Sequence, residues 1–280
     1  MHLSRRAPPV NRGAVLKSTI AAGGILLDRL LRPPCILCGD AGIGRLALCA
    51  PCRAELPGNT PACRLCALPL PAPGVCGHCL RQPPPQAASL SPYRYAAPFD
   101  ALVPRLKFSR DLSVARLASQ LLADHLQALP VDAAPSMPEL LVPVPLHRAR
   151  LRQRGFNQAL EIARGLGRAL DLPVGARTAR RLRDTVPQSR LGARERRRNL
   201  RGAFTAELPA DVRRVAVVDD VMTSGHTAAE MARCLLAAGA AEVQVWTLAR
   251  AVPGAPPRSQ SAGRSDPTSP AKSAWSWSRR

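Results

Sequence analysis

The sequence predicts an α/β protein: a parallel sheet flanked by helices, preceded by a small cysteine-rich module. Three observations carry this. Short β-rich stretches alternate with helical ones between residues 91 and 250, and that alternation calls for parallel strands joined by right-handed crossovers. One strand, VAVVD at Val215–Asp219, is almost wholly apolar, as a strand covered on both faces must be. Eight of the nine cysteines fall within residues 35–80, as four CxxC pairs.

The 280 residues suffice for one full domain with smaller attachments. Hydrophobic residues make up 46% and aromatics only 3%, so the core must be aliphatic and alanine-based. The net charge of +21 attracts polyanions, whether nucleic acid, phosphorylated ligands or anionic membrane surfaces.

Taken in order, residues 1–34 form a basic leader. Arg5, Arg6 and Lys17 precede an apolar run, Ile20–Leu31, which gives a faint likeness to a signal peptide. Asp28 and Arg29 interrupt that run, and it falls short of the ~20 residues needed to span a membrane. The better expectation is a short amphipathic helix with Ile25, Leu26 and Leu30 on one side, and a cytoplasmic protein with no membrane span.

In the cysteine region, 35–80, the pairs are Cys35/Cys38, Cys49/Cys52, Cys63/Cys66 and Cys76/Cys79, with spacers of ten, ten and nine residues. The near-equal spacing suggests a duplicated knuckle. Four thiolates bind one Zn²⁺ tetrahedrally, so eight suit two ions. Disulfides are the competing reading, disfavoured where a cytosol keeps thiols reduced. Spacing alone leaves open whether the pairs combine in sequence or cross-brace. The run RQPPPQ within residues 81–90 reads as a stiff proline-rich linker.

Within 91–250 the strand candidates are Leu140–Pro145, Val215–Asp219 and Val243–Leu248. Helices are expected over Leu112–Leu129, with Val114, Leu117, Leu121 and Leu122 on one face, and over Phe156–Leu170. A third spans Ala228–Ala238, with Gly239 placed to end it and Cys234 as a small buried residue. Asp111 is a natural N-cap for the first of these. Residues 251–280 are rich in Pro, Ser, Gly, Arg and Lys, and read as a disordered tail.

The chemistry concentrates at Val215–Thr227, VAVVDDVMTSGHT, where the apolar strand ends in Asp219–Asp220 and a short loop leads into a helix. Ligands of open α/β sheets bind at the carboxyl ends of strands, and a helix N-terminus holds phosphate. Thr223, Ser224 and Thr227 add hydroxyl donors, and Gly225 lets the backbone approach an anion. Thr227 with Glu230 also fits a capping box, while His226 is expected to face solvent. Two acids beside a phosphate loop would repel phosphate, so they must serve another group. Vicinal ribose hydroxyls, or Mg²⁺ held through oxygens and waters, fit them. Phosphate at one end and a diol at the other describe a 5-phosphoribosyl group.

VAVVDDVMTSGHT resembles the phosphoribosyl-diphosphate motif of type I phosphoribosyltransferases, with His226 where small residues are usual. Further motifs are VPVPLHRARLRQRGFNQ at Val142–Gln158, KFSR at Lys107–Arg110 and TVPQSRLGARERRRNLRGAF at Thr185–Phe204. Together with the four CxxC pairs they resemble the ComF family of competence-associated proteins, including GntX-like members with a doubled zinc ribbon. The likeness covers roughly residues 30–250.

The resemblance implies a type I phosphoribosyltransferase fold over residues 91–250 behind a double zinc ribbon. It implies a site for phosphoribosyl diphosphate with Mg²⁺, in which Asp219 and Asp220 are catalytic and Thr223, Ser224, Gly225, His226 and Thr227 take phosphate. Arg148, Arg150 and Arg154 would form the diphosphate loop, and Lys107 would reach a phosphate from the side. Gln188, Arg196 and Asn199 would belong to a hood-like loop that excludes water from the site. The implied reaction is attack at the anomeric carbon with departure of diphosphate, the leaving charge met by Mg²⁺ and arginines. No side chain can be assigned as general base for an acceptor. A second reading is a non-enzymatic competence factor that binds nucleic acid, such as single-stranded DNA, or the DNA-uptake machinery, with the fold as a ligand-regulated module. Stacking aromatics for a single strand are few, so that case rests on charge and on the resemblance.

Overall fold

The computed structural model describes residues 32–130, 136–183 and 202–252. Most of the leader, the tail and the expected hood loop with Gln188, Arg196 and Asn199 lie outside the described residues.

The sheet has one parallel set of strands. Strand β3 (Leu140–Pro143) pairs with β6 (Arg214–Met222), and β6 pairs with β7 (Glu242–Arg250). The far edge of β7 is covered by two short strands, β1 (Ala88–Leu90) and β2 (Tyr93–Arg94), giving the order β1–β7–β6–β3. The expected parallel sheet with helices on both faces is therefore present. Alternate residues feed the two faces. Ala216, Val218, Leu141, Trp246 and Leu248 point to one core, and Val215, Val217, Leu140, Val142, Val243 and Val245 to the other.

The first core is closed by α3 (Phe99–Phe108), α4 (Leu112–Ala128) and α6 (Gln158–Leu170). Asp111 caps α4 as expected, its carboxylate accepting from Ser113 N at 3.1 Å. Asn157 caps α6, accepting from Ala159 N at 3.1 Å, and donates to Val144 O at 3.0 Å, which ties the helix start to the end of β3. The second core is closed by α7 (His226–Ala237) with Phe204 of β5 (Phe204–Ala206). Strand β5 pairs antiparallel with β4 (Ala179–Arg181). Cys234 on α7 is half-buried, less enclosed than expected. Between β3 and α6, α5 (Arg148–Arg154) occupies the segment expected to be the diphosphate loop.

Helices α4 and α6 cross closely because Gly165 carries no side chain. A Cβ there would fall 2.6 Å from the Ser119 Cβ, and Ser119 is buried. Alanine favours helix over glycine by about 1 kcal/mol, but overpacking a tight crossing costs about 1–3 kcal/mol. Gly165→Ala should therefore lower the thermal midpoint, and adding Ser119→Gly should recover part of the loss.

Two metal-type modules precede the sheet. In each, a CxxC turn is followed by a CxxC that opens a five-residue helix: α1 (Ala50–Ala54) behind Cys49, and α2 (Gly77–Arg81) behind Cys76. The turns share one hydrogen-bond pattern. Cys35 N donates to Asp40 O and Gly39 N to Cys35 O; Cys63 N donates to Leu68 O and Ala67 N to Cys63 O. Gly39 and Ala67 hold equivalent positive-φ positions. The expected duplication is thus visible bond by bond.

The linker expectation needs amendment. Gln86 is buried and donates to Leu65 O at 3.0 Å, and Ala88–Leu90 is already sheet. The proline stretch is pinned between the second module and the sheet edge.

Candidate functional site

The eight clustered cysteines divide in sequence order: Cys35, Cys38, Cys49 and Cys52 form one set, and Cys63, Cys66, Cys76 and Cys79 the other. Within each set the sulfurs all lie within 4.8 Å of one another, with Cys38 and Cys49 at 3.5 Å and Cys66 and Cys76 at 3.7 Å. Zn–S bonds of about 2.3 Å imply tetrahedral S···S edges of about 3.8 Å, so both sets fit Zn²⁺, and none of these cysteines is in a disulfide. Burial would raise the Cys35 thiol, but backbone donors from Cys38, Cys49 and Leu37 together outweigh it and bring it down to about 6. Cys63 is held at about 7 in the same way, by Cys76, Leu65 and Cys66. One thiol of each set is thus drawn towards the thiolate, the form that binds metal.

The second site lies at the carboxyl ends of β6 and β7. Strand β6 does not stop at the acid pair, as expected, but runs on to Met222, because β7 continues to Arg250 and pairs Val221 with Ala249 and Met222 with Arg250. The turn is thereby shortened to Thr223–Gly225. Gly225 has φ +77° and is the N-cap of α7. The capping box expected from Thr227 and Glu230 is absent, since the helix starts two residues too early for it. Glu230 instead accepts from Gly202 N at 2.7 Å and pairs with Arg233 at 2.8 Å. His226 is half-buried rather than solvent-facing, its Nδ1 2.9 Å from Ser224 Oγ.

A small pocket at this turn is lined by Val144, Asp219, Met222, Gly225, Thr227 and Thr247. Thr223 and Ser224 stand exposed at its rim. Asp219 Oδ1 accepts from Asp220 N at 2.9 Å, and Asp220 Oδ1 from Val221 N at 2.8 Å. Burial, and then the Asp220 charge, push the Asp219 carboxyl up to about 7, against the pull of Lys107.

Lys107 was expected to approach a phosphate from the side. It lies in the last turn of α3 and pairs with Asp220 instead, Nζ to Oδ2 at 2.7 Å. Burial works against its ammonium, but Asp220 outweighs that and lifts it above the ordinary lysine value. Arg154 comes to the same place. Its guanidinium lies 5.5 Å over the Phe108 ring, and burial lowers its pKa while Asp220 and Asp219 oppose the drop. Arg150 acts on Arg154 by like-charge repulsion, and Arg148 is exposed at the start of α5. The fold thus gathers Asp219, Asp220, Lys107, Arg154 and the turn 223–227.

Two residues escaped the sequence reading. Thr247 faces Asp219 across the sheet in register and lies 2.5 Å from Ser91 through its hydroxyl. Arg250 ends β7 fully enclosed. The signal for Arg250 was a lone arginine closing an apolar strand.

The fold and these sites define a protein with two tetracysteine, zinc-ribbon-type modules ahead of a parallel α/β sheet that carries an acid pair at its carboxyl edge. The double zinc ribbon domain family matches residues 26–80. Over 218 residues the chain is 38% identical to the DNA utilization protein YhgH of Escherichia coli (strain K12), covering 77% of this chain and 96% of that one. It is 35% identical over 222 residues to Competence protein F of Haemophilus influenzae, covering 78% and 96%, and 30% identical over 211 residues to Competence protein ComFC of Bacillus subtilis, covering 72% and 84%. The chain belongs to the ComF family of competence-associated proteins. Among solved structures it resembles the glutamine phosphoribosylpyrophosphate (PRPP) amidotransferase from B. subtilis, at 20% identity and a TM-score of 0.35, over 52% of this chain and 30% of that one. No helix among the described residues is long and apolar enough to cross a membrane.

Proposed function

We propose that this chain binds 5-phosphoribosyl 1-diphosphate, with Mg²⁺, at the carboxyl ends of β6 and β7, and transfers ribosyl phosphate to an acceptor in the cytoplasm. The observation that carries this is the adjacent acid pair Asp219–Asp220, set beside a glycine-started helix and faced by Lys107 and Arg154. The 5-phosphate would take the backbone and hydroxyl donors of Thr223, Ser224, Gly225, His226 and Thr227. The ribose hydroxyls would donate to Asp219 and Asp220. Arg148, Arg150 and Arg154 would meet the diphosphate, joined by Lys107 once the ligand competes with Asp220 for it. Gln188, Arg196 and Asn199 would cover the sugar. Mg²⁺ usually binds one or two carboxylates together with substrate phosphates, and this donor set fits it. When bound it would neutralise charge on the departing diphosphate.

The test is calorimetry with phosphoribosyl diphosphate and Mg²⁺, followed by assay of diphosphate release with nucleobases, amines or water as acceptors. Binding with release supports the reading. Binding without release from any acceptor leaves a ligand-regulated module, and no binding removes the reading altogether.

The pH dependence is a separate expectation. Asp219 must be ionised to accept ribose hydroxyls or hold a cation, and its carboxyl lies near 7. Affinity should therefore rise about tenfold per pH unit up to 7 and level off above 8, one proton being released on binding. A flat profile between pH 5.5 and 8 would show that Asp219 is not in contact with the ligand.

A second reading, nucleic-acid contact, is favoured by a groove between the first cysteine module and helices α4 and α6. Arg45, Arg105, Arg116 and Arg168 line it, and among the described residues only Arg105 of these forms an ion pair, with Asp111. Relatives are named for DNA utilization and competence. Binding of single-stranded DNA at this groove should fall with salt, and each of Arg45→Ala, Arg116→Ala and Arg168→Ala should reduce the salt slope by about one. An unchanged slope in the triple variant would exclude the groove.

A further inference from the structure

Arg250 joins the two sites. It is the last residue of β7, 4% exposed. Its Nε donates to Cys66 O at 2.8 Å. One terminal nitrogen donates to Met222 O at 3.0 Å, to Ala251 O at 2.6 Å and to Thr223 O. The planar fork therefore grips, at one end, the carbonyl of a second-set cysteine and, at the other, the final residue of β6 and the first residue of the phosphate turn. The main chain reinforces this, with Ala251 N donating to Met222 O at 2.9 Å.

The charge balance points the same way. A buried guanidinium is costly unless an anion is near. Among the described residues no carboxylate forms an ion pair with Arg250. Burial lowers its pKa, and the groups that oppose the drop are the sulfurs of Cys66, Cys76 and Cys79. A zinc ion with four thiolates carries a net charge of about −2, so the loaded second centre is its counter-ion. Among the described residues the first centre has no comparable arginine bridge. It meets the sheet domain mainly through apolar packing of Leu46 and Leu48.

We propose that Arg250 is a positioning residue through which the second tetracysteine centre sets the geometry of the turn at Thr223–Thr227, so that metal occupancy there and anion binding at the turn are coupled. This rests on the reading of that turn as the phosphate site. With the centre loaded, the Cys66 carbonyl is fixed, Arg250 is held, and the carbonyls of Met222 and Thr223 are turned towards it. The start of the turn is then held in one conformation for the ligand. With the centre emptied, Cys66 loses its anchor, Arg250 loses its counter-charge, and the carbonyls of Met222 and Thr223 lose a fixed donor. Coupling of this kind is reciprocal: ligand at the turn must slow metal loss from the second centre and leave the first unaffected.

The experiment uses the zinc-loaded full chain. Hydrogen exchange at Met222–Thr227 is measured without ligand in wild type, in Cys76→Ser/Cys79→Ser and in Arg250→Gln. Both variants should exchange there at least tenfold faster, and Arg250→Lys, which keeps the charge but not the fork, should fall between. Zinc release to a colorimetric chelator is then followed with and without phosphoribosyl diphosphate and Mg²⁺. Wild type should show one of its two zinc phases slowed at least threefold by ligand, and Arg250→Gln should keep two zincs but lose that protection. Wild-type exchange at the turn in Arg250→Gln would overturn the proposal, as would equal ligand protection of both zincs. Should wild type fail to bind phosphoribosyl diphosphate, the functional reading falls, while the ligand-free exchange still decides the coupling. Should Cys76→Ser/Cys79→Ser fail to fold, the arginine variants decide it.

Discussion

Replacing Asp219 and Asp220 together by asparagine should weaken binding of phosphoribosyl diphosphate by about 10²–10⁴-fold. Hydrogen bonds to charged groups contribute about 1.5–3 kcal/mol each, and two such contacts would be lost. The single exchanges should separate by their effect on stability. Asp219 has a raised carboxyl, so the folded chain holds its proton between about pH 4 and 7 while the unfolded chain has released it. Stability from this group is therefore present below pH 4 and lost as pH rises through 7. Asp219→Asn should raise the thermal midpoint at pH 8, with the gain vanishing towards pH 4. Asp220→Asn should instead lower the midpoint, because Asp220 is the ion-pair partner of the largely covered Lys107 at 2.7 Å. Asp220→Asn strands an enclosed ammonium, at a cost of about 3 kcal/mol, or roughly 6–12 °C in midpoint. Calorimetric melts at pH 5 and 8 read both signs. A fall for both single exchanges at pH 8 would contradict the assigned environments.

Loss of metal from the first cysteine set should do more damage than loss from the second. Metal binding to small modules of this kind contributes on the order of 10 kcal/mol at neutral pH. In the first set that energy is shared with the sheet domain: Cys35, Leu46, Leu48 and Cys49 belong to the same buried cluster as Phe99, Leu102 and Leu121. The Arg53–Asp124 pair at 2.8 Å adds little, since both groups are 41% exposed. The second set docks by polar contacts, Asn59 to Ser91 O at 2.9 Å and Ser89 to Leu65 O at 2.8 Å. Cys49→Ser should leave one zinc per chain and lower the midpoint by more than 10 °C, or prevent folding. Cys76→Ser should also leave one zinc but cost less than half as much. Elemental analysis with thermal unfolding checks this, and equal losses would mean that the two modules are equally integrated.

Much of the fold was legible because its signals are local. Four CxxC pairs, the run VAVV before two acids, and three helices with clear apolar spacing all emerged where expected. The helix α3 did not, because Pro104 sits in its interior and proline normally argues against a helix. That omission hid the role of Lys107, whose position depends on α3 delivering it to Asp220. Helix α5 was hidden by its composition, since RARLRQR reads equally as a solvated basic loop. Strands β1 and β2 are three and two residues long, too short to show any period. They exist because β7 offers an open edge. Arg250 illustrates the general limit: its partners Cys66 and Met222 are distant in sequence, and only folding brings them to one guanidinium.

The strand order has a consequence for synthesis. The last of the described strands to be made, β7, lies inside the sheet, between β1 and β6. A nascent chain can load zinc and shape its cysteine modules early, since all eight ligands precede residue 80. Its sheet cannot close until residue 250 has emerged. Until then β6 presents VAVV with an unpaired edge, and β1 has no partner among the strands, the kind of exposed apolar edge that invites association between chains. A ribosome stalled shortly before β7 would therefore carry a metal-stabilised head and an open, adhesive sheet, and the nine-residue β7 is the strand whose arrival covers that edge.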